Sequence, residues 1–391
     1  MLNIIRKGDN VKLIYRITSA IVTIAFMLLL SAADVSCEAE EYTESYVLME
    51  VSTGTVVRQR DGGKQIHSGS FNKLMTVLLA AEAAERKEIE YDTVITASER
   101  AFSMTGAKIW LETGDKLTLE EMLKGIIIGN ANDAACAVAE RLGGTEEKFA
   151  EMMNKRAAEL GMASTVFTNA SGSYDCEKQL TTAYDAALLL RELAGHDELS
   201  EMFTTRVDEI KNGEVQLVTT NRMCHSYKGS VGFKCGRGEI SGYFAAEGAV
   251  RDGAAYVTAV LDCSDEDRAM ALAKELLDIG FNGYSVISLN VPEDMPETIA
   301  VKQGQASEVR LMVQDTGVAV AAKGSEGNVR AEIYLPSFVY APVEKGEKVG
   351  ELRLFIGDKL IKTCMIFSAS DVEKKDFKNV LSEMMKYAVS F

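Results

Sequence analysis

The sequence predicts an α+β domain, an antiparallel sheet with a helical block, followed by a small all-β domain. Three observations predict it. Helix-like apolar runs between residues 74 and 193 lie between strand-like runs at 46–57 and 242–262, so strands from both ends must share one sheet. From about residue 285, short β-rich runs alternate with turns. All four prolines (Pro292, Pro296, Pro336 and Pro342) fall in that later region, and the preceding 291 residues hold none.

Composition narrows the function classes. The chain has 391 residues, 47% hydrophobic and 26% charged, the balance of a globular protein rather than a disordered or fibrous one. A net charge of −16 leaves no basic footprint for nucleic acid. Three histidines (His67, His196 and His225), with no HExxH spacing, argue against a histidine metal site.

The chain opens on an address. Arg6, Lys7, Lys12 and Arg16 precede an apolar run over 17–30, and Cys37 and Ala39 take the small-residue positions of a signal-peptidase site. A cleaved secretory signal over 1–39 is the expectation; an uncleaved membrane anchor is the alternative. Of the seven cysteines, Cys37 leaves with the signal and the remaining six show no CxxC, so mostly free thiols are expected.

Residues 46–57 read as a strand, a turn at Ser52–Thr55 and a second strand. Residues 74–86 hold Leu, Met and Ala without Gly or Pro, a helix. Further helices are expected from 119, over 133–142 up to Gly143-Gly144, over 146–160 with Gly161 as cap, over 181–193, and over 265–280. Strands are expected over 242–249 and 254–262. The later β-runs are 285–291, 308–313, 318–321, 329–334, 348–356 and 359–367. At the end, Phe377, Val380, Leu381, Met384, Met385 and Ala388 share one helical face, with Lys374, Lys375, Lys378 and Lys386 off it. Two readings fit this helix: an interfacial membrane anchor, or a helix docked on its own β-domain.

Three short motifs stand far apart. Ser70-x-x-Lys73 places a hydroxyl and an amine on one helical face, with the hydroxyl at a helix N-terminus that favours developing negative charge. Burial beside Leu74 and Val77 would lower the amine's pKa, and a neutral amine can take the serine proton. The second motif is Asn130-Ala131-Asn132. The third, Lys234-Cys235-Gly236, opens a Gly-punctuated strand. Each alone is more often structural; together, in this order, they match the SxxK, SxN, KTG plan of penicillin-recognising serine enzymes.

The chain resembles the low-molecular-weight penicillin-binding proteins, the serine-type D-Ala-D-Ala carboxypeptidases of peptidase family S11. The resemblance extends through Thr113-Gly-Asp-Lys-Leu-Thr118, Thr181-Thr-Ala-Tyr-Asp185 and Pro342-Val-Glu-Lys-Gly346. It implies a β-lactamase/transpeptidase-like domain over 40–283, a β-domain over 284–370 and a terminal helix over 371–391. It also implies roles, and no metal or organic cofactor. Ser70 is the nucleophile and Lys73 the general base. The backbone N–H groups of Ser70 and Arg237 form the oxyanion hole, Asn132 holds the substrate amide, and Lys234 attracts the terminal carboxylate beside Cys235 and Gly236. The implied substrate is a peptidoglycan stem peptide, with β-lactams as acylating inhibitors, on the extracytoplasmic face of a bacterial membrane.

Several positions depart from the family pattern. Asn130 stands where serine usually relays a proton, and Cys235 where threonine usually binds carboxylate. Ser68 and Ala170 replace common prolines, which predicts a less constrained approach to Ser70. A binding-only homologue is therefore the alternative to an active hydrolase. A β-lactamase is a third reading, opposed by the β-domain, the terminal helix and the lack of an obvious second base.

Overall fold

The computed structural model describes residues 43–377, apart from 175 and 239, together with residue 385. The expected signal at 1–39 and most of the expected terminal helix lie outside the described residues.

The first sheet has five antiparallel strands: β1 (Ser45–Glu50), β2 (Val56–Arg60), β3 (Ser230–Arg237), β4 (Tyr243–Arg251) and β5 (Ala254–Cys263), in the order β2-β1-β5-β4-β3. Strands from both ends of the domain thus share one sheet, as the sequence predicts. Local chemistry sets the turns. The Glu50 carboxylate accepts from the backbone N–H of Ser52 at 2.9 Å and of Thr53 at 2.8 Å, closing β1 onto β2. Asp252 and Gly253, both at positive φ, make the tight turn between β4 and β5.

The helical block comprises α1 (Asn72–Glu85), α2 (Leu119–Ile127), α3 (Asn132–Gly143), α4 (Glu146–Glu159) and α5 (Ala183–Leu193). Residues 72–83 of α1 are buried on every side, so it is a central helix rather than an amphipathic one. α2 starts in a capping box between Thr118 and Glu121, and Thr182 caps α5 by accepting from the Asp185 N–H at 3.0 Å. α6 (Glu266–Gly283) covers the other face of the sheet, where its Ala269, Ala273, Leu276 and Leu277 pack with Leu48, Ala245, Tyr256 and Val260.

The chain then enters the β-rich region. β6 (Tyr284–Ser288) pairs with β9 (Val318–Ala322). A six-stranded sheet runs β10-β12-β13-β8-β7-β11, with β7 Thr298–Lys302, β8 Glu308–Val313, β10 Val329–Tyr334, β11 Val339–Tyr340, β12 Lys348–Ile356 and β13 Lys359–Ser368. The strands β7 and β11 are additions to the sequence reading; β11, with two residues, is too short to show a periodic signal. One expectation is corrected at its start. A helix from residue 371 gives way to extended backbone, with Val372 bridging Val343 and Lys374 bridging Gly304. The reason is apolar packing: Val372 is buried with Ile299, Val301 and Val343.

Cys136, Cys224, Cys235, Cys263 and Cys364 are free thiols.

Candidate active site

Ser70 sits in the single 3-10 turn Gly69–Phe71 that leads directly into α1, and Lys73 lies on the first turn of that helix. The Ser70 Oγ is buried without a hydrogen-bond partner. Lys73 is only 1% exposed. Its Nζ donates to the Ser171 carbonyl at 2.9 Å rather than to Ser70. A carbonyl accepts equally from a neutral amine, so this bond fixes the nitrogen without requiring its charge. Burial holds the Lys73 amine well below the ordinary lysine range. The nearby Lys234 adds to the effect, and Asp133 opposes it.

The turn beneath the nucleophile explains how this geometry is held. Gly172 lies at φ +75°, and a Cβ there would fall 1.7 Å from the Gly69 carbonyl oxygen. Asn169 Oδ1 accepts from the Gly172 N–H at 2.6 Å, which folds the turn under Ser70. The less constrained approach expected from Ser68 is not what the structure has. Ser68 Oγ donates to Asn72 Oδ1 at 2.6 Å, and Asn72 Nδ2 donates to the Asn169 carbonyl at 3.0 Å and to Gln179 Oε1. Buried side-chain hydrogen bonds supply the constraint that proline would have supplied through φ. At the second proline position, the Ala170 N–H donates to Glu146 at 3.2 Å, a bond proline could not make.

The second motif closes the short link between α2 and α3. Asn130 takes the left-handed conformation at φ +58°, which asparagine tolerates better than most residues. Its Oδ1 is buried and unpartnered. Asn132 opens α3, and its Nδ2 donates to the Thr105 carbonyl at 2.6 Å. Beside it, the buried Asp133 accepts from the N–H groups of Ile109 at 3.1 Å and Leu111 at 3.0 Å. One helix N-terminus therefore anchors the whole 105–111 loop.

The third motif lies on β3, the outer strand of the sheet. Lys234 and Gly236 stand opposite Ala246 and Phe244, whose side chains pack toward the helical block. Opposed residues of an antiparallel pair share a face, so Lys234 and Gly236 share that face. Lys234 is buried, and burial brings its amine down to about 8, with Cys235 opposing. A Cβ at Gly236 would lie 2.8 Å from Ser70 Oγ, which places this strand directly against the nucleophile. Cys235 faces the other way. It stands opposite Ala245, in the cluster under α6, and its Sγ meets Thr220 Oγ1 at 3.7 Å and Glu266 Oε1 at 3.8 Å. Burial pushes the thiol up to about 12, so it is a neutral thiol at physiological pH. The Arg237 side chain is exposed over the Tyr243 ring, 5.5 Å from its centroid.

The structure thus brings Ser70, Lys73 and Gly236 together, with Asn130 and Asn132 contributed by the α2–α3 link and Lys234 by the same strand face; it turns the Cys235 thiol away. Sequence reasoning missed Ser171, Gly172 and Asp133, whose roles rest on contacts made across long stretches of chain. Among the described residues, groups able to hold a metal lie at the far end of α1, roughly 20 Å from Ser70 by helical rise. There His196 Nδ1 meets Glu85 at 2.9 Å and Glu198 at 3.3 Å.

Comparison with known proteins agrees with this geometry. A family model described as D-alanyl-D-alanine carboxypeptidase matches residues 32–265, and the C-terminal domain of penicillin-binding protein 5 matches residues 284–374. The chain is 30% identical to D-alanyl-D-alanine carboxypeptidase DacF of Bacillus subtilis over 352 residues, covering 89% of this chain and 90% of that one. It is 26% identical to DacC of Escherichia coli, covering 88% of each. Its fold is similar to that of penicillin binding protein 5 from Haemophilus influenzae, at TM-score 0.76 and 22% identity over 84% of this chain and 97% of that one. Penicillin-binding protein D2 of Listeria monocytogenes in its ampicillin-bound form matches at TM-score 0.56 and 26% identity, over 61% of this chain and 96% of that one. The chain belongs to the D-alanyl-D-alanine carboxypeptidase family, peptidase family S11.

Proposed function

We propose that this chain removes the terminal D-Ala from peptidoglycan stem pentapeptides through an acyl-enzyme on Ser70. The observation that carries this reading is a buried lysine, its pKa held below the ordinary lysine range by burial, three residues from a buried serine hydroxyl with no partner of its own. A buried orphan polar atom calls for an explanation, and a nucleophile awaiting its substrate is one. In this mechanism Ser70 Oγ attacks the carbonyl between the two D-alanines and passes its proton to Lys73 Nζ. The N–H groups of Ser70 and Arg237 hold the developing oxyanion, a preorganised contribution of about 3 kcal/mol per donor. Asn132 holds the substrate amide, and Lys234 draws in the terminal carboxylate. The C–N bond breaks, the amine leaves as D-Ala carrying a proton, and water releases the shortened peptide. β-Lactams would acylate the same oxygen; the ampicillin-bound and cefotaxime-bound forms of the Listeria relative support this.

A second reading rests on two placements. Asn130 presents a carboxamide where a hydroxyl would relay the proton, and Cys235 turns its thiol to Thr220 and Glu266. A protein that acylates but turns over poorly, serving as a wall-binding module, fits both.

The test uses fluorescent penicillin and then a D-Ala-D-Ala peptide. Acylation that is lost in Ser70→Ala, together with D-Ala release, is the expected outcome. Acylation without release favours the binding reading, and no acylation at all refutes the nucleophile. The reading also takes the chain to be exported over 1–39 and attached to the outer membrane face through its terminal helix. The export half is tested by the N-terminus of the mature protein, which should begin after residue 39.

A further inference from the structure

Trp110 is the single tryptophan of the chain and is 69% exposed. Its backbone lies at φ +58°, a region that bulky residues rarely adopt. The loop is held there from both sides: Asp133 accepts from the N–H of Ile109 and of Leu111, and the Trp110 carbonyl accepts from Lys211 Nζ at 3.1 Å. Strained backbone of this kind persists where surrounding bonds over-determine it, often at ligand clamps. Here those bonds fix a large aromatic surface in solvent. The same loop bonds to Asn132 through the Thr105 carbonyl at 2.6 Å and the Ala107 carbonyl at 2.8 Å. The ring therefore stands on the loop built around the second motif. Lys108 Nζ lies 5.2 Å from the ring centroid, which adds a cation beside the apolar face.

We infer that Trp110 and Lys108 form a subsite for the acidic part of the stem peptide that precedes the D-Ala-D-Ala pair. The ring carries the aliphatic backbone of the peptide, and the Lys108 ammonium pairs with its glutamate carboxylate. The inference rests on the carboxypeptidase reading, which directs the terminal carboxylate to Lys234 and leaves the rest of the peptide to exit past Asn132. A flat ring can pack against the methyl and methylene groups of the peptide, and a point charge beside it can pair with the glutamate carboxylate.

Because the chain has one tryptophan, its fluorescence reports this subsite without any turnover. The probe is the tripeptide L-Ala-γ-D-Glu-L-Lys, amidated at its C-terminus, which has no D-Ala-D-Ala bond to cleave. The full-length protein should show a saturable change in emission. Lys108→Ala should weaken binding about fivefold, and amidating the glutamate carboxylate should do the same. No saturable change, or equal affinity for both peptides, overturns the proposal. Kinetics give a second readout. Trp110→Ala should raise KM for the pentapeptide at least about fivefold more than KM for a minimal diacyl-lysyl-D-Ala-D-Ala lacking the glutamate. A proportional change for both substrates would assign Trp110 to loop folding and overturn the subsite. Absent acylation of Ser70 by penicillin would sink the carboxypeptidase reading instead, and the tripeptide titration would still decide this one.

Discussion

At the scale of single residues, two lysines divide the work by charge. Lys73 must be neutral to accept the serine proton, whereas Lys234 must be charged to attract a carboxylate. Burial lowers both, Lys234 to about 8. Acylation by a carboxylate-bearing substrate should therefore fall as pH rises through about 8, and stopped-flow penicillin binding across pH 6–10 would show that limb. Burial of Lys73 also costs stability. Its folded pKa lies below its unfolded one, so between the two values the unfolded chain binds the extra proton, and stability rises with pH across that window. Lys73→Met should abolish acylation and yet raise the urea midpoint at pH 7. Asn130 tests the other side of the mechanism. Asn130→Ser should speed D-Ala release about tenfold or more if proton relay to the leaving amine limits acylation, measured by the single-turnover rate at which D-Ala appears. Ser70, Lys73 and Lys234 were readable because their residue types and order are specific. The outward turn of Cys235 was not, because one strand's facing depends on the register it adopts against β4.

At the scale of elements, the site depends on two anchors. The Asp133 carboxylate binds the backbone on both sides of Trp110 and caps α3 from within. Asp133→Ala should cost about 2–4 kcal/mol by leaving buried N–H groups unpaired, read as a shift in urea denaturation. The Ser171–Gly172 turn lies under Gly69 with no room for a methyl group. Gly172→Ala should cost about 2–4 kcal/mol and slow acylation, since relief of the clash must move Ser70. The helices around these anchors were legible in the sequence: α1 from its unbroken Leu, Met and Ala run, and α5 within the expected 181–193. The 169–173 turn was not, because Asn169 and Gly172 find their partners about a hundred residues upstream. The short hairpin at 207–218 was missed as well; its strands of four residues are too brief for periodicity to register.

At the scale of the whole molecule, the change of pattern near residue 284 was the most legible feature. Apolar clusters on either side of it are built from separate stretches, with Leu352, Leu354, Cys364 and Ile366 centring the later one. This sheet has its own core, which includes Val372, so deletion of residues 378–391, beyond that residue, should leave penicillin acylation within about twofold of the full chain. The same deletion should reduce binding to anionic vesicles if the terminal helix is the membrane contact; sedimentation with phosphatidylglycerol vesicles measures it. Unchanged binding would sink the anchor reading. Val372 shows why the boundary was misplaced: an apolar residue on the predicted helix fills a gap in the sheet's core and keeps the chain extended.

The glycine contacts around Ser70 bear on how such a site can diversify. Gly172 is filled to 1.7 Å by the main chain of Gly69, and Gly236 to 2.8 Å by the nucleophile itself. Neither can acquire a side chain without a shift, of the Gly69 main chain at Gly172 and of the reacting oxygen at Gly236, so substitution at either is costly. The open paths run through positions whose side chains occupy space of their own. Asn130 and Cys235 are two of these, and they are where the second and third motifs differ from the SxN and KTG plan.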